Sequence, residues 1–260
     1  MDAQFAAIVF PFLAAMPRVA AIFLVLPFFG RRTTQGLVRA QFIVVLALFV
    51  YPAAIPPADA IAGGFAPFIG IAIKESLVGL IIGFYLGTIF WVAENVGYLV
   101  DLQTGTQNAL IFDPMHDHQE GPTASFMLHL VIALVLAGGG LLTMLDIVFE
   151  SYRVWPIYQL LPDLRVGMAD AIAARADTLF ATTVRFVAPI VVLLLLVEIG
   201  LGIFNRMADN FDVYTLAMPA KSFLAFLVML VFLSFIHDAI RGFLAQDNEV
   251  LKILREMATS

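Results

Sequence analysis

The sequence predicts an all-α polytopic membrane protein. Of its 260 residues, 62% are hydrophobic and only 13% are charged, and the mean hydropathy is +0.96. This composition lies far outside the range of soluble proteins. Apolar runs take up most of the chain, so we expect one integral membrane domain over residues 1–260 and no separate soluble catalytic domain.

Six apolar runs are long enough for a membrane helix. In chain order they cover Phe5–Phe29, Val38–Ile55, Phe65–Ala93, Ala124–Phe149, Leu179–Phe204 and Phe211–Ile236. The first run has no basic segment before it and contains Pro11, Pro17 and Arg18, so we expect a mature helix and not a cleaved signal peptide. Pro189 and Pro219 lie inside the last two runs, where each favours a kink.

Charged residues inside these runs predict contact with protein or water, because each would cost roughly 2.5 kcal/mol or more in lipid. They are Arg18, Lys74, Glu75, Arg185, Glu198 and Lys221. Two interpretations stay open: pairing between helices of a bundle, and the lining of a water-filled conduit or a contact with partner subunits. Lys and Arg fall on both sides of the predicted topology, so some runs are expected to be hairpins packed into an assembly.

Gly79, Gly83 and Gly87 recur every fourth residue of the third run. Small residues at this spacing share one helix face and let a second helix approach closely. We therefore expect this face to pack tightly, either within the chain or against another subunit.

The stretch Trp91–Pro122 contains five acidic residues and no Lys or Arg. It also keeps apolar residues that a solvated linker would not need. Such a mixture predicts a loop that folds back into protein at membrane depth. Gly105 supplies backbone freedom within it, and Pro114 and Pro122 limit it.

Enzymatic signatures are missing from the sequence. There is no HExxH zinc helix, GxSxG elbow or GxxxxGK phosphate loop, and the absence of cysteine excludes thiolate chemistry. His116 and His118 could contribute to a zinc site, but an exposed polar loop explains them equally well. We expect no catalytic, cofactor or metal residue, and the net charge of −6 gives no indication of a nucleic-acid partner.

Four elements in order carry a family resemblance. They are Gly97-Tyr-Leu-Val-Asp101-Leu-Gln103-Thr-Gly105 with Phe112-Asp113-Pro114, Ser151-Tyr152-Arg-Val-Trp155-Pro156, Leu201-Gly202-Ile-Phe-Asn205-Arg206, and Met218-Pro219-Ala220-Lys221. Together they resemble the FliR/SctT family of type III export-apparatus proteins over nearly the whole chain. The flagellar branch usually has an Asn-Gly-His element where this chain has Ala137–Gly140, so the injectisome branch, called SctT, is favoured.

The resemblance implies a structural and gating subunit of a helical export gate in the bacterial inner membrane. Its partners would be SctR-like and SctS-like subunits, with SctU-like and SctV-like proteins, membrane lipid and unfolded proteins in transit. The family's central loop, here about Gln103–Pro122, would plug the closed pore. The implied plug residues are Gln103, Gly105, Asn108, Leu110, Ile111, Phe112, Asp113 and Pro114. A secondary transporter for a small solute is the alternative, since buried charges and broken helices would serve either role.

Arg206 and Lys221 are the charged residues of the last two elements, and both are candidates for a gating or intersubunit contact. Arg206 has Asp209 close by in sequence as a local partner. Lys221 has no acid within one helical turn, so its partner must be distant or belong to another subunit. The acidic central loop is our hypothesis for that partner.

Overall fold

The computed structural model describes residues 3–27, 36–50, 65–106, 121–159, 167–207 and 213–245. Within these ranges the chain forms seven α-helices and no strand, which confirms the all-α class. The helices are α1 (Ala3–Val25), α2 (Gly36–Val50), α3 (Phe65–Thr104), α4 (Pro122–Ala137), α5 (Gly140–Val154), α6 (Gly167–Met207) and α7 (Val213–Ala245). Pro189 and Pro219 lie inside α6 and α7, each of which continues past its proline.

Two of the described helices are long and apolar enough to cross a membrane, over Phe68–Thr104 of α3 and Ile172–Met207 of α6. A third span results if the bent pair α4 and α5 counts as one. The polytopic prediction is confirmed. Shorter apolar helices lie in the first predicted run (Val9–Val25) and the sixth (Ala217–Leu230), and a third, Gly36–Val50, overlaps the second run.

Helix α3 continues well past Ala93, where the third apolar run ends. Val92, Val96 and Val100 are all buried at four-residue spacing, so an apolar stripe persists although polar residues separate its members. The prediction of a loop from Trp91 onward is therefore wrong for Trp91–Thr104, which is helical. The helix ends at Gly105, whose φ of 76° lies in the left-handed region that favours glycine.

The fourth predicted run is interrupted at Gly138 and Gly139, between α4 and α5. Gly139 has a φ of 77°, a conformation that other residues rarely adopt. Its carbonyl accepts the backbone N–H of Leu142 at 3.0 Å, which starts α5. Two shorter helices therefore replace the continuous one that the apolar run predicted.

The described residues group into two compact units. The first is drawn from Met1–Thr88, Gly139–Arg175 and Phe243–Ser260, and the second from Ile89–Gly138 and Ala176–Gly242. Each unit buries polar side chains that tie its helices together.

A buried ion pair joins α1 to α3 in the first unit. Arg18 and Glu75 are both fully buried, and the guanidinium donates to both carboxylate oxygens, at 2.7 and 3.0 Å. Such a two-bond pairing is the strongest geometry available to these groups. Arg18 also donates to the Ser151 hydroxyl at 3.1 Å and to the Trp155 carbonyl at 2.9 Å. Its guanidinium lies 4.1 Å from the centre of the Tyr152 ring.

Lys74 extends this network to the residues that follow α5. Its ammonium pairs with Glu75 and donates to the carbonyls of Pro156 at 3.1 Å and Ile157 at 2.8 Å. Burial, together with the negative charge of Glu75, raises the pKa of nearby Tyr158 to about 12, so its phenol remains neutral at physiological pH. The interior charges of α1 and α3 are thus paired within the chain.

Glu75→Gln is expected to lower the free energy of unfolding by about 3–5 kcal/mol, because Arg18 and Lys74 would stay buried without their shared anion. Glu150→Gln is the matched control. Glu150 pairs at 3.1 Å with Arg153, whose side chain is 78% exposed, and such a pair contributes at most about 1 kcal/mol. Thermal unfolding of the detergent-extracted protein measures both, and equal stability of the two variants would contradict the prediction.

Candidate functional site

The best-defined polar site lies where α3 ends and α4 begins, on both sides of residues 107–120. Asp101, in the last turn of α3, is fully buried. Its carboxylate accepts the backbone N–H of Thr123 at 3.1 Å and that of Ala124 at 2.9 Å. It also accepts the Thr106 hydroxyl at 2.9 Å. One side chain therefore holds both chain segments that flank residues 107–120.

Asp101 acts as the N-terminal cap of α4. The first amides of a helix have no partner inside it, and the residue at the cap position of α4 is Gly121, which has no side chain to accept them. The Asp101 carboxylate supplies that acceptor from 22 residues earlier. Its negative charge also faces the positive end of the α4 dipole.

Two glycines make room for this contact. A side chain at Gly121 would overlap the Asp101 carboxyl group. One at Gly97 would lie 2.7 Å from the carbonyl of Thr123 and from the backbone nitrogen of Ala124. The end of α3 can therefore approach the start of α4 closely only because both positions lack a side chain.

The structure describes two of the predicted plug residues. Gln103 is half-buried in the last turn of α3, and Gly105 ends that helix, with its N–H donating to the Asp101 carbonyl at 3.1 Å. The others, Asn108, Leu110, Ile111, Phe112, Asp113 and Pro114, lie outside the described residues. The plug assignment stays a prediction.

Sequence reasoning gave Asp101 no role of its own. A signal was present: Gly121-Pro122-Thr123 is a good helix start without a capping side chain. A helix of that kind needs an acceptor from elsewhere, and Asp101 is the fully buried acid that provides it.

Gly79 and Gly83 face α1 of the same chain. A Cβ at Gly79 would lie 2.8 Å from the Ala21 Cβ, and one at Gly83 would lie 3.0 Å from the Val25 Cβ. Gly87 is also buried, one turn further along α3. For Gly79 and Gly83, the close helix approach expected from their spacing occurs inside the chain.

Lys221 pairs with Glu198, at 3.1 Å, linking α7 to α6 in the second unit. Lys221 is only 9% exposed, whereas the Glu198 side chain is 57% exposed. Glu198 is distant from Lys221 in sequence, as expected, but the sequence hypothesis had named the acidic central loop as the partner. The acidic residues of 107–120, like Asp209, lie outside the described residues, so contacts of Lys221 and Arg206 with them stay predictions. Arg206 itself lies at the exposed end of α6.

Among the residues that the structure describes, no group of three or more His, Asp or Glu side chains could hold a metal ion. His116 and His118 fall outside those ranges. The Asp101 carboxylate instead binds donors of the chain itself, and these contacts fix the position of the backbone at the start of α4.

Comparison with known proteins relates this chain to proteins of bacterial export systems. The sequence pattern of the family described as bacterial export proteins, family 1, matches residues 9–246. The chain is 31% identical to Yop proteins translocation protein T of Yersinia pestis over 84% of this chain and 83% of the relative. It is 30% identical to surface presentation of antigens protein SpaR of Salmonella typhimurium, over 84% and 80%. It is 25% identical to flagellar biosynthetic protein FliR of Bacillus subtilis, over 94% and 93%.

Gly83→Leu is expected to destabilise the isolated protein by about 1–3 kcal/mol or more, because the added side chain must displace α1. Gly200→Leu is the control, since a Cβ at Gly200 meets nothing within 4 Å. Replacing that helical glycine should raise stability by up to about 1 kcal/mol. Thermal unfolding in detergent measures the difference, and equal effects of the two substitutions would refute the packing role of Gly83.

Lys221→Glu should destabilise the protein by about 1 kcal/mol or more, a modest loss for an ion pair because Glu198 is largely exposed. The exchange Lys221→Glu with Glu198→Lys should recover most of the loss, and Lys221→Arg should be tolerated. A double-mutant cycle on unfolding temperatures tests this pairing. Additive effects of the two single substitutions would show that the ion pair contributes nothing.

Proposed function

This chain belongs to family 1 of the bacterial export proteins, and we propose that it is a structural and gating subunit of a type III secretion export gate. It is a component of a protein-export apparatus and a membrane protein. In the proposed role it performs no chemistry. It forms, with SctR-like and SctS-like subunits, the inner-membrane pore through which unfolded proteins leave the cell.

The injectisome role is supported by the relatives. Yop proteins translocation protein T and SpaR are more similar to this chain than the flagellar FliR of Bacillus subtilis is, at 31% and 30% against 25% identity. The Ala137–Gly140 stretch, with glycine at three of its four positions, points the same way. SctU-like and SctV-like proteins are further proposed partners.

The observation that carries the gating role is that one carboxylate, that of Asp101, accepts hydrogen bonds from both Thr106 and Thr123. Residues 107–120 are flanked by Thr106 on one side and by Gly121 on the other. The Thr106 hydroxyl and the Thr123 amide lie within 3.2 Å of the same Asp101 oxygen. A pore plug has to stay anchored at both of its ends while substrates pass through the pore. Bonds to an ionised acceptor, roughly twice as strong as neutral ones, suit that task. In our proposal the segment from Asn108 to Pro114 fills the closed pore.

The proposed location is the bacterial inner membrane, with several passes. The described helices support a chain that is only partly surrounded by lipid. Within the most apolar 18-residue stretch of α3, 56% is buried inside the protein, whereas in the corresponding stretch of α6 the buried share is 17%. A gate subunit surrounded by other subunits would not need the usual Lys and Arg asymmetry in its connections.

Deleting Asn108–Asp113 should make the complete export gate leak ions, because the closed pore would lose its plug. The measurement is conductance, or the uptake of a small dye, in cells that express the whole complex. Replacing the same stretch with alternating Gly and Ser is the control for its length and should leak almost as much, since the apolar side chains provide the seal.

An assembled complex that carries the deletion and stays as tight as the wild type would refute the plug. Transport of a solute by the chain alone, reconstituted without partners, would refute the export-gate role itself and favour a secondary transporter.

A further inference from the structure

The chain crosses the boundary between its compact units four times, after Thr88, Gly138, Arg175 and Gly242. Two of these crossings are at glycine, and a Cβ on Gly242 would meet nothing within 4 Å. Glycine keeps a backbone freedom that other residues lose. The other two crossings lie inside the long helices α3 and α6, so bending there has to come from within a helix.

Helix α3 is weakened just before its crossing. Thr88, which is 4% exposed, donates its hydroxyl to the Phe84 carbonyl at 2.9 Å. The Arg175 guanidinium of α6 donates to the next carbonyl, that of Tyr85, at 3.2 Å. In an α-helix these two carbonyls also accept the amides of Thr88 and Ile89, so each is shared between two donors. Side-chain donors of this kind loosen and bend a helix.

The same guanidinium fastens α6 to the weakened turn. Arg175 is only 6% exposed, and its Nε donates to the Thr88 hydroxyl at 3.3 Å. The guanidinium carbon lies 3.9 Å from the centre of the Tyr85 ring. Arg175 is the last residue before the crossing in α6, as Thr88 is in α3. The two helices are therefore held together by the residues at which each of them crosses.

We propose that residues 84–89 of α3 form a hinge, with the Arg175 side chain as its pivot, and that α3 bends there when the export gate opens. A hinge needs only a few residues that absorb the change in backbone angles, and the glycines at the other two crossings supply them. The hinge is a property of this chain, whereas its use in opening rests on the proposed function.

Amide hydrogen exchange in the detergent-extracted gate complex tests the hinge without reference to export. Residues 87–91 include the amides of Thr88 and Ile89, so they should exchange about tenfold faster than residues 78–82 of the same helix. Thr88→Val removes one competing donor with little change in shape and should remove most of that difference.

Ser76→Ala is the control for that substitution. It removes the hydroxyl bond from Ser76 to the Ala72 carbonyl, which is 2.8 Å long and lies in the same helix. It should leave the exchange of residues 87–91 unchanged. Equal exchange of residues 87–91 and 78–82 in the wild-type chain would overturn the proposal.

A reversible staple tests whether opening uses the hinge. The chain contains no native cysteine, so cysteines placed at Phe84 and Trp91, two turns apart, can be joined across the hinge by a bis-maleimide that contains a disulfide. In the complete gate the stapled chain should export about tenfold less substrate, and reduction of the linker should restore export. A staple between positions 77 and 84, which ends where the hinge begins, should leave export unchanged. Equal inhibition by both staples would overturn the proposal.

The hinge and the proposed function fail in distinguishable ways. If the chain purifies in the gate complex and its plug deletion leaks, but the staple across the hinge leaves export unchanged, only the inference about α3 is wrong. If the chain enters no complex with other export subunits, the proposed function is wrong, and the exchange of residues 87–91 is then measured on the chain alone.

Discussion

The fully buried Arg18–Glu75 pair is the constraint on which the first unit depends. In a low-dielectric interior neither charge is tolerable alone, so α1 and α3 must stay in register wherever the pair forms. The same carboxylate binds Lys74, and the two cations together hold Ser151, Trp155, Pro156 and Ile157. The close approach of α1 to Gly79 and Gly83 belongs to this register, because Gly79 lies one turn after Glu75.

Between α3 and α4, the second unit meets the same requirement with one acid and backbone donors. Asp101 has its carboxylate on the amides that begin α4 and on Thr106. Burying a charge without a partner is very costly in such a chain, so each buried charge marks a place where two segments have to meet. The polar residues of this apolar protein therefore determine which helices touch, while its apolar residues, present on nearly every face, discriminate poorly.

How well each helix or contact could be predicted depends on how far apart its residues lie in the sequence. Apolar runs and glycine spacing are local patterns, so they predicted the helices and the packing at Gly79 and Gly83. The partners Glu75, Ser151 and Trp155 of Arg18 lie 57, 133 and 137 residues away, and no local pattern selects them. The sequence around Lys221 indicated a distant partner, but it did not identify Glu198 as that partner. The helix from Trp91 to Thr104 was missed because its polar residues indicated a loop, whereas Asp101 and Thr104 are in fact buried.

The long separations inside the Arg18 network also impose an order on biogenesis. A ribosome makes Arg18 well before Glu75, and Trp155 comes 137 residues after Arg18. Until then the nascent α1 carries a cation that its own chain has not yet enclosed. Because an unpaired cation is costly in hydrocarbon, that helix cannot take its final place until α3 and the residues after α5 have emerged. Helix α1 is synthesised before all of the partners of Arg18, so it reaches its final environment only after they have been made.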